Sequence, residues 1–424
     1  MRFRSAVTID WPLVACALVL SLYGVAIVFS AGQTDIPTYV ARVWKMQLLW
    51  LAIGVTGAWM ISRASMRMLE WIAIPLYLGT ILVLLYLLFF GGGAGTAQGT
   101  KSWLVVGGVK LGQPSELAKI TVVLMLGKLL GGKKDAPKTL GELWRPALVV
   151  FVPWLLIIGQ RDLGTATVFI GIFFAMLFWS GLSWRMLVLL ASPIVSLILG
   201  GVTQLWGSWF LLLLALVIWQ NTQTYRSKRF PWEGVAFVTA NVVTGVMAPL
   251  LWERLRPYQQ ARLRTFLDPS IDPRRAGYHV IQSQVAIGSG GWFGKGYTEG
   301  TQKRLAFLPA QHTDFVFSVV GEELGFLGVT LALALFLTLF LRVIRIAERA
   351  SDSFSSLVAF GLLGSWFVHV VVNIGMTLNL LPITGIPLPF FSYGGSFMLA
   401  SWLAIGILVR IASEGRGGRA FGRV

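Results

Sequence analysis

The sequence predicts an all-α fold, a polytopic transmembrane bundle of about twelve helices. Hydrophobic residues make up 56% of the 424 residues and charged residues only 12%, whereas soluble globular domains usually carry about 25% charged residues. Apolar runs of about 20 residues recur along the chain, and each is long enough to cross a hydrocarbon core of roughly 30 Å. The expected helices span residues 11–31, 44–61, 69–90, 113–130, 146–160, 163–180, 185–203, 207–221, 234–252, 314–341, 356–378 and 393–411.

The first apolar run follows Arg2 and Arg4 and extends from Trp11 to Ala31. No small-residue cleavage site follows it, so we expect a retained helix and not a removed signal peptide. With the N terminus assigned to the cytoplasm, basic residues collect in the short inside connections, as the positive-inside rule requires. We therefore expect a multi-pass membrane protein with both termini in the cytoplasm.

Composition limits the possible functions. The net charge of +17 suits basic loops that face an anionic leaflet, and the chain contains no soluble nucleic-acid-binding motif. Cys16 is the only cysteine, which excludes an intramolecular disulfide, and three histidines leave few ligands for zinc. If a metal binds, we expect a hard, oxygen-liganded ion such as Mg²⁺ or Mn²⁺.

A long connection, residues 253–313, lies on the outer side in this orientation. Within it, Tyr278, Ile281 and Val285 are spaced by three and four residues. This spacing predicts a short helix that either lies in the plane of the membrane interface or packs on the bundle.

The same connection has more basic than acidic residues. Arginine and lysine suit an anionic ligand, and the arginine fork matches phosphate especially well. Alternatively, these side chains extend to lipid head groups. The basic residues are Arg254, Arg256, Arg262, Arg264, Arg274, Arg275, Lys295, Lys303 and Arg304.

Acidic residues are scarce, and three of them lie at the predicted outer ends of helices: Glu116, Asp162 and Asp314. Each could simply cap its helix, because an acid in the first turn complements the helix dipole. Ionisable residues at membrane depth are nevertheless candidates for function. Lys119 follows Glu116 by one turn, so these two side chains are expected to pair.

Other polar residues are expected to have structural roles. Glu322 and Glu323 lie deeper in the tenth helix and suit packing or hydrogen bonding to a neighbour. His369 and Asn373 are one turn apart and suit a buried polar contact between helices. Residues 385–396 contain Pro and Gly, which break the helix, so their free backbone groups must be buried in protein or line a cavity.

From the residues alone we expect an outward-facing polar site with carboxylates and cations. A phosphorylated lipid is the natural class of ligand. An enzyme and a transporter both fit this description.

A series of short motifs occurs in the order found in one known family, the SEDS family (shape, elongation, division and sporulation), and the chain resembles it from the first helix to the last. The sequence of residues 300–302, Gly-Thr-Gln, is more similar to the RodA branch of this family than to the FtsW branch. The motifs lie at residues 113–119, 162–165, 277–283, 286–291, 300–302, 307–309, 312–315, 321–325, 387–389 and 392–395.

The resemblance implies a peptidoglycan glycosyltransferase for cell elongation and shape. Family members polymerise lipid II into β-1,4-linked glycan at the outer face of the bacterial inner membrane, beside a class B penicillin-binding protein. By resemblance, Asp314 takes the position of the essential aspartate, Glu116 and Lys119 belong to a functional helix, and Asp162 is the acid of a conserved motif.

Three departures from the family pattern matter. Arg161 replaces the usual proline before Asp162, and Lys101 stands where the family has an arginine. The family usually has ten helices, so residues 204–252 resemble an inserted transmembrane hairpin.

The expected mechanism has Asp314 as a general base, and Lys119, nearby arginines or a divalent cation supply the positive charge that stabilises a leaving diphosphate. Glu116 and Asp162 are expected to orient Lys119 or to bind that cation. A divalent cation held by Glu116, Asp162 and Asp314 could contribute that charge. An exporter or flippase of polyprenyl-linked sugars is the alternative function, and a scaffold that recruits a transpeptidase is a third. Residues expected to bind the substrate are Asp162, Arg161, Lys101, Arg262, Arg264, Lys303 and His312.

Overall fold

The computed structural model describes residues 7–35, 39–93, 100–106, 109–132, 136–137, 139–200, 203–223, 230–255, 257–269, 276–308 and 310–421. Arg256, Arg274 and Arg275 of the predicted basic connection therefore lie outside the described residues. The helices, with α2 preceded by a short 3₁₀ turn at Tyr39–Arg42, are α1 (Trp11–Ala31), α2 (Val43–Ser62), α3 (Met66–Phe90), α4 (Pro114–Gly131), α5 (Leu140–Gly159), α6 (Leu163–Trp179), α7 (Trp184–Leu199), α8 (Thr203–Gln223), α9 (Phe230–Arg254), α10 (Pro257–Leu267), α11 (Ala276–Ser289), α12 (Thr301–Arg304), α13 (Val316–Glu348), α14 (Ser353–Thr377) and α15 (Gly395–Phe421).

All twelve predicted helices are confirmed, and the polytopic all-α fold with them. In the described part of the chain, seven helices are long and apolar enough to cross a membrane, and three shorter apolar helices accompany them. Helices α5, α8, α9, α13 and α15 are longer than expected because their polar ends extend the helix beyond its apolar part. In α13, for example, the helix continues past Arg342 and Arg345.

A small β-hairpin was not predicted. Strand β1 (Leu104–Val106) pairs antiparallel with β2 (Val109–Gly112) immediately before α4. A further bridge joins Gly92 to Trp103. The hairpin therefore connects the end of α3 to the start of α4, where Glu116 lies.

The chain divides into two compact units, and the smaller comprises residues 134–145 and 177–261. A polar cluster joins its helices α7, α8 and α9. Asn241 donates a hydrogen bond to Ser192 Oγ (2.8 Å) and accepts one from Ser196 Oγ (2.5 Å), and Trp209 Nε1 donates to Ser196 Oγ (3.0 Å). Such contacts hold helices together in lipid. That α8 and α9 form an inserted hairpin remains a prediction.

The larger unit comprises residues 1–133, 146–176 and 262–424. Its helices pack in the pairs α1 with α13, α2 with α15, α3 with α4, and α4 with α14. At one end, Asp10 caps α1 by accepting from Leu13 N and pairs with both Arg342 and Arg416. This cluster ties α1 to α13 and α15.

Helix α13 is interrupted at Gly325, whose φ of 60° and ψ of −156° are not helical. The preceding loop supplies the missing hydrogen bonds. Phe326 N donates to Gly291 O (2.9 Å), Lys295 N to Glu322 O (3.0 Å) and Gly296 N to Glu323 O. Irregular backbone inside a membrane bundle needs such partners.

Helix α11 confirms the short helix predicted in the outer connection, and it packs on α13 and α14. Its buried face carries Val280, Ser283 and Ala286. Ser283 Oγ lies 2.7 Å from Ser318 Oγ and donates to Thr377 O at 2.7 Å. The helix therefore packs on the bundle, but not through the predicted stripe, which ends on Val285 with 45% of its surface exposed.

Lys303 requires a correction, because it is fully buried and does not face a substrate site. Its Nζ pairs with Glu323 (2.7 Å) and donates to the backbone and side-chain oxygens of Ser30. Sequence analysis assigned it to the substrate because only the excess of charge was visible. The expected hydrogen bonding of Glu323 to a neighbouring helix is confirmed, since Ser30 belongs to α1.

We expect Lys303→Met to destabilise the protein strongly, because it leaves the buried Glu323 carboxylate without its cation. Loss of one partner of a buried pair typically costs about 3–5 kcal/mol. The control is the double variant Lys303→Met with Glu323→Leu, which should recover most of the stability. Thermal unfolding in detergent measures both, and an unchanged unfolding temperature for the single variant would contradict the structural role.

We expect Gly294→Ala to lower the unfolding temperature. The new Cβ would lie 2.0 Å from Glu323 O, at a φ of +78°, and a left-handed non-glycine residue costs about 1–3 kcal/mol even without a clash. Gly288→Ala is the matched control, because nothing lies within 4 Å of its Cβ position and alanine favours a helix. Equal unfolding temperatures for the two variants would refute the tight contact.

Candidate active site

Glu116 and Lys119 lie in the first turns of α4, which begins at Pro114 because proline suits the first helical position. The predicted pairing is confirmed, with Lys119 Nζ 2.6 Å from Glu116 Oε2. Both side chains are almost completely buried. Buried charges need partners, and Lys119 Nζ has two more: His369 Nε2 at 2.8 Å and the ring of Phe397 at 5.0 Å.

One small cavity lies beside this pair. This cavity of about 20 Å³ is lined by Glu116, Lys119, Ser365 and Ser401, among others. This volume has room for about one water molecule. A sugar therefore does not reach Lys119 from that side.

Asp162 caps the N terminus of α6. Its Oδ1 accepts from Thr165 N (3.0 Å), and its Oδ2 accepts from Thr165 Oγ1 (3.0 Å) and from Gln113 Nε2 (2.6 Å). Burial raises the pKa of the Asp162 carboxyl, although these hydrogen bonds and the charge of Lys119 act in the opposite direction. The capping role is thus real, and the carboxylate is held rigidly by it.

Two predicted cations flank Asp162. Arg161 adopts a left-handed φ of 68° in the turn before it. Lys101 N donates to Gln160 O at 3.0 Å, and Lys101 Nζ lies 3.5 Å from Leu88 O. The backbone therefore brings both residues to the Asp162 turn, and contact of either with a substrate remains a prediction.

Asp314 lies in the turn before α13. Burial raises the pKa of its carboxyl, and the charge of Asp162 adds to this effect, whereas Thr313 and the positive charge of Arg262 act against it. Asp162 is also close enough to interact electrostatically with Glu116. The structure thus brings the three predicted acids into one electrostatic cluster, with Asp162 in the middle.

The non-helical segment 384–394 covers this cluster. A Cβ on Gly385, which has a φ of +73°, would lie 3.2 Å from Asp314 Oδ2. Asn373 Nδ2 donates both to Asp314 O (2.9 Å) and to Ile386 O (2.8 Å), and His369 Nδ1 lies 2.9 Å from Pro387 O. The expected buried polar contacts of His369 and Asn373 are confirmed, and they hold this segment against Asp314.

The end of the segment is fixed by other elements. Ser392 Oγ donates to Thr313 O at 2.6 Å, and Tyr393 N donates to His312 O at 2.9 Å. From α2, Gln47 Nε2 donates to Ser392 O at 2.9 Å. Sequence reasoning missed Gln47 and Gln113, because a single glutamine in an apolar helix or at a helix start gives no spacing signal.

The outer connection adds Arg262, whose charge acts on Asp314. Burial lowers the pKa of His312 to about 4, so this imidazole is neutral at neutral pH and is not a cation for phosphate. His279 stacks on Phe315 with ring centroids 6.0 Å apart. Arg264 is exposed on α10, and its contact with a substrate remains a prediction.

The predicted metal site is not preformed by side chains alone. Among the described residues, no group of three or more His, Cys, Asp or Glu side chains could hold a metal ion. Glu116 is paired with Lys119, which leaves Asp162 and Asp314 as carboxylates that could bind Mg²⁺ or Mn²⁺ together with oxygens of a ligand.

Comparison with known proteins finds relatives along almost the whole chain. The family model described as "Cell cycle protein", which covers FtsW, RodA and SpoVE, matches residues 10–232 and 230–417. The chain is 34% identical to "Peptidoglycan glycosyltransferase RodA" of Treponema pallidum, over 97% of this chain and 99% of that one. It is also 34% identical to "Peptidoglycan glycosyltransferase MrdB" of Escherichia coli K12, over 96% of this chain and 95% of that one.

Two solved structures share the fold. One is described as "Structural coordination of polymerization and crosslinking by a peptidoglycan synthase complex" and matches with a TM-score of 0.70 and 28% identity, over 96% of this chain and 98% of that chain. The other is RodA of Thermus thermophilus, with a TM-score of 0.61 and 26% identity, over 96% and 97%. The resemblance read from the motifs is confirmed, and the chain belongs to the FtsW, RodA and SpoVE family of cell cycle proteins.

Proposed function

We propose that this chain is an inverting peptidoglycan glycosyltransferase that polymerises lipid II into β-1,4-linked glycan strands for cell elongation and shape. Its curated relatives carry the name of this activity. The single observation that carries the proposal is the half-buried Asp314 carboxylate, on which the charges of Asp162 and Arg262 act.

In the proposed reaction, Asp314 removes the proton from the 4-hydroxyl of the acceptor sugar. The oxygen attacks the anomeric carbon of the donor, and the bond to the undecaprenyl diphosphate breaks with its electron pair on the leaving oxygen. Inversion of the donor gives the β-1,4 bond. A positioned base contributes roughly 10²–10⁴-fold to such a step.

The leaving diphosphate requires positive charge. The charge of Arg262 acts on Asp314, and Arg161 and Lys101 lie at the Asp162 turn. We assign the diphosphate to these three residues and not to Lys119, whose ammonium is enclosed by its partners. A divalent cation held by Asp162 together with oxygens of the diphosphate would add charge at the same place and would leave the Asp314 carboxylate to act as the base.

We further propose that the site opens at the outer face of the bacterial inner membrane. The part of α13 that follows the interruption at Gly325, residues 326–348, is by itself about 35 Å long at 1.5 Å per residue, which is enough to cross the hydrocarbon core. Asp314 precedes the first residue of α13, and Arg342 and Arg345 lie near its last. The positive-inside rule assigns the arginine end to the cytoplasm.

A class B penicillin-binding protein is the proposed partner. One solved relative is described as part of a peptidoglycan synthase complex that coordinates polymerisation and crosslinking. A transpeptidase beside this chain would receive the glycan strand as it is made.

Asp314→Asn should abolish polymerisation, with a loss of at least about a hundredfold, because the amide cannot accept the proton. Gel analysis of glycan made from lipid II by the purified protein measures this. Asp352→Asn is the matched control: Asp352 caps α14, asparagine caps equally well, and activity should be unchanged. If Asp314→Asn makes polymer at the wild-type rate, Asp314 is not the base. If the wild-type protein moves the lipid between leaflets but makes no polymer, an exporter is favoured.

The rate should fall on acidification at a pH above the usual range for an aspartate. Burial raises the pKa of Asp314 from 3.8, and only the ionised form is a base, so the base is lost as the pH falls through the raised value. Initial polymerisation rates across pH, with thermal unfolding at each pH as the control, measure this. A rate that stays constant down to about pH 4 would contradict the assignment.

A further inference from the structure

The enclosed Lys119 ammonium raises a question about how α4 affects the reaction. Lys119 is 4% exposed and Glu116 is 2% exposed. The three groups around Lys119 Nζ are the Glu116 carboxylate, His369 Nε2 and the Phe397 ring. Direct contact with a substrate would break a buried ion pair, which is costly. Apart from its charge, which acts on Asp162, Lys119 can therefore influence the site only through one of these neighbours.

His369 is the neighbour that reaches the site. Its Nδ1 lies 2.9 Å from Pro387 O, and its Nε2 lies 2.8 Å from Lys119 Nζ. A carbonyl oxygen can only accept, so Nδ1 carries the proton and donates it to Pro387. The neutral ring then presents the lone pair of Nε2 to the Lys119 ammonium, which only donates. The two contacts together fix the tautomer and the direction of the ring.

The residues that receive this contact lie against Asp314. Pro387 is two residues beyond Gly385, whose Cα approaches Asp314 Oδ2 so closely that a Cβ would be 3.2 Å away. One turn after His369, Asn373 donates to Ile386 O and to Asp314 O. Two side chains of α14 thus hold the successive carbonyls of Ile386 and Pro387.

We propose that His369 is a positioning residue. Its ring bonds to Lys119 of the Glu116–Lys119 pair on one side and to Pro387 on the other. These two bonds keep residues 385–387 against the Asp314 carboxylate. The inference deepens the proposed function and rests on it: α4 contributes to glycosyl transfer by holding the base, and not by binding the diphosphate. A misplacement of about 1 Å can cost roughly a hundredfold in rate.

Two substitutions separate the two contacts of the ring. The amide nitrogen of asparagine occupies about the place of Nδ1, so His369→Asn keeps the donor to Pro387 and loses the acceptor for Lys119. The amide of glutamine reaches about the place of Nε2, so His369→Gln keeps the acceptor and loses the donor. His369→Ala removes both contacts. Val371→Ala is the control, because Val371 lies on the exposed face of α14.

The first measurement is the initial rate of lipid II polymerisation as a function of substrate concentration. We expect kcat to decrease in the order wild type, His369→Asn, His369→Gln, with His369→Ala no better than His369→Gln. Restoration of the Pro387 contact should recover about tenfold or more in kcat. KM should change less than about twofold, because the diphosphate contacts are untouched.

The second measurement does not depend on activity. Hydrogen exchange of the peptide covering residues 384–392 should be faster in His369→Gln and His369→Ala than in His369→Asn, while the thermal unfolding temperature separates this local effect from loss of the fold. If the wild type makes no polymer, the proposed function fails, and this exchange comparison still tests the contact between His369 and Pro387.

The opposite order, with His369→Gln more active than His369→Asn, would overturn the proposal, because it would mean that the acceptor for Lys119 is what matters. Wild-type kcat in both variants would overturn it as well. Equal losses of kcat in His369→Asn and His369→Gln that match the loss of folded protein would also overturn the proposal, since they indicate general destabilisation only.

Discussion

The site depends on how a non-helical stretch of chain is accommodated inside a helical membrane bundle. Backbone groups that no helix satisfies are costly in an apolar environment. Residues 384–394 meet this requirement with side chains from other elements: His369 and Asn373 of α14 and Gln47 of α2. Because the same segment lies against the Asp314 carboxylate, the bonds that make the segment stable also define the surroundings of the proposed base.

Some of the charged groups have a structural role, whereas others are available for the proposed reaction. Lys303 pairs with Glu323, and Lys119 pairs with Glu116. In both of these buried pairs each charge has a partner of the opposite sign. Asp314 is different, because the charges that act on it are those of another acid and of the cation Arg262. Partial burial raises the pKa of the Asp314 carboxyl, and a higher pKa makes a carboxylate a stronger base.

Much of the fold was predictable from the sequence, and the physical reason is that lipid demands long apolar helices. The pairing of Glu116 with Lys119 was also predictable, because the helix repeat sets the spacing. The long-range partners were not. Lys303 looked like a ligand for phosphate because the sequence shows the charge of the outer connection but not its burial, and Gln47 and Gln113 have no regular spacing.

The interruption of α13 has a consequence for how the outer connection can vary. The loop between α11 and α12 completes the hydrogen bonding of the helix through Gly291, Lys295 and Gly296. Each of these loop residues must stand opposite its own partner in the helix, as paired residues do in two neighbouring strands. A loop in that position cannot gain or lose a residue without leaving donors and acceptors of the membrane-embedded helix unmatched. Length variation among related chains should therefore concentrate elsewhere in the connection, and this loop should keep its length even where its side chains differ.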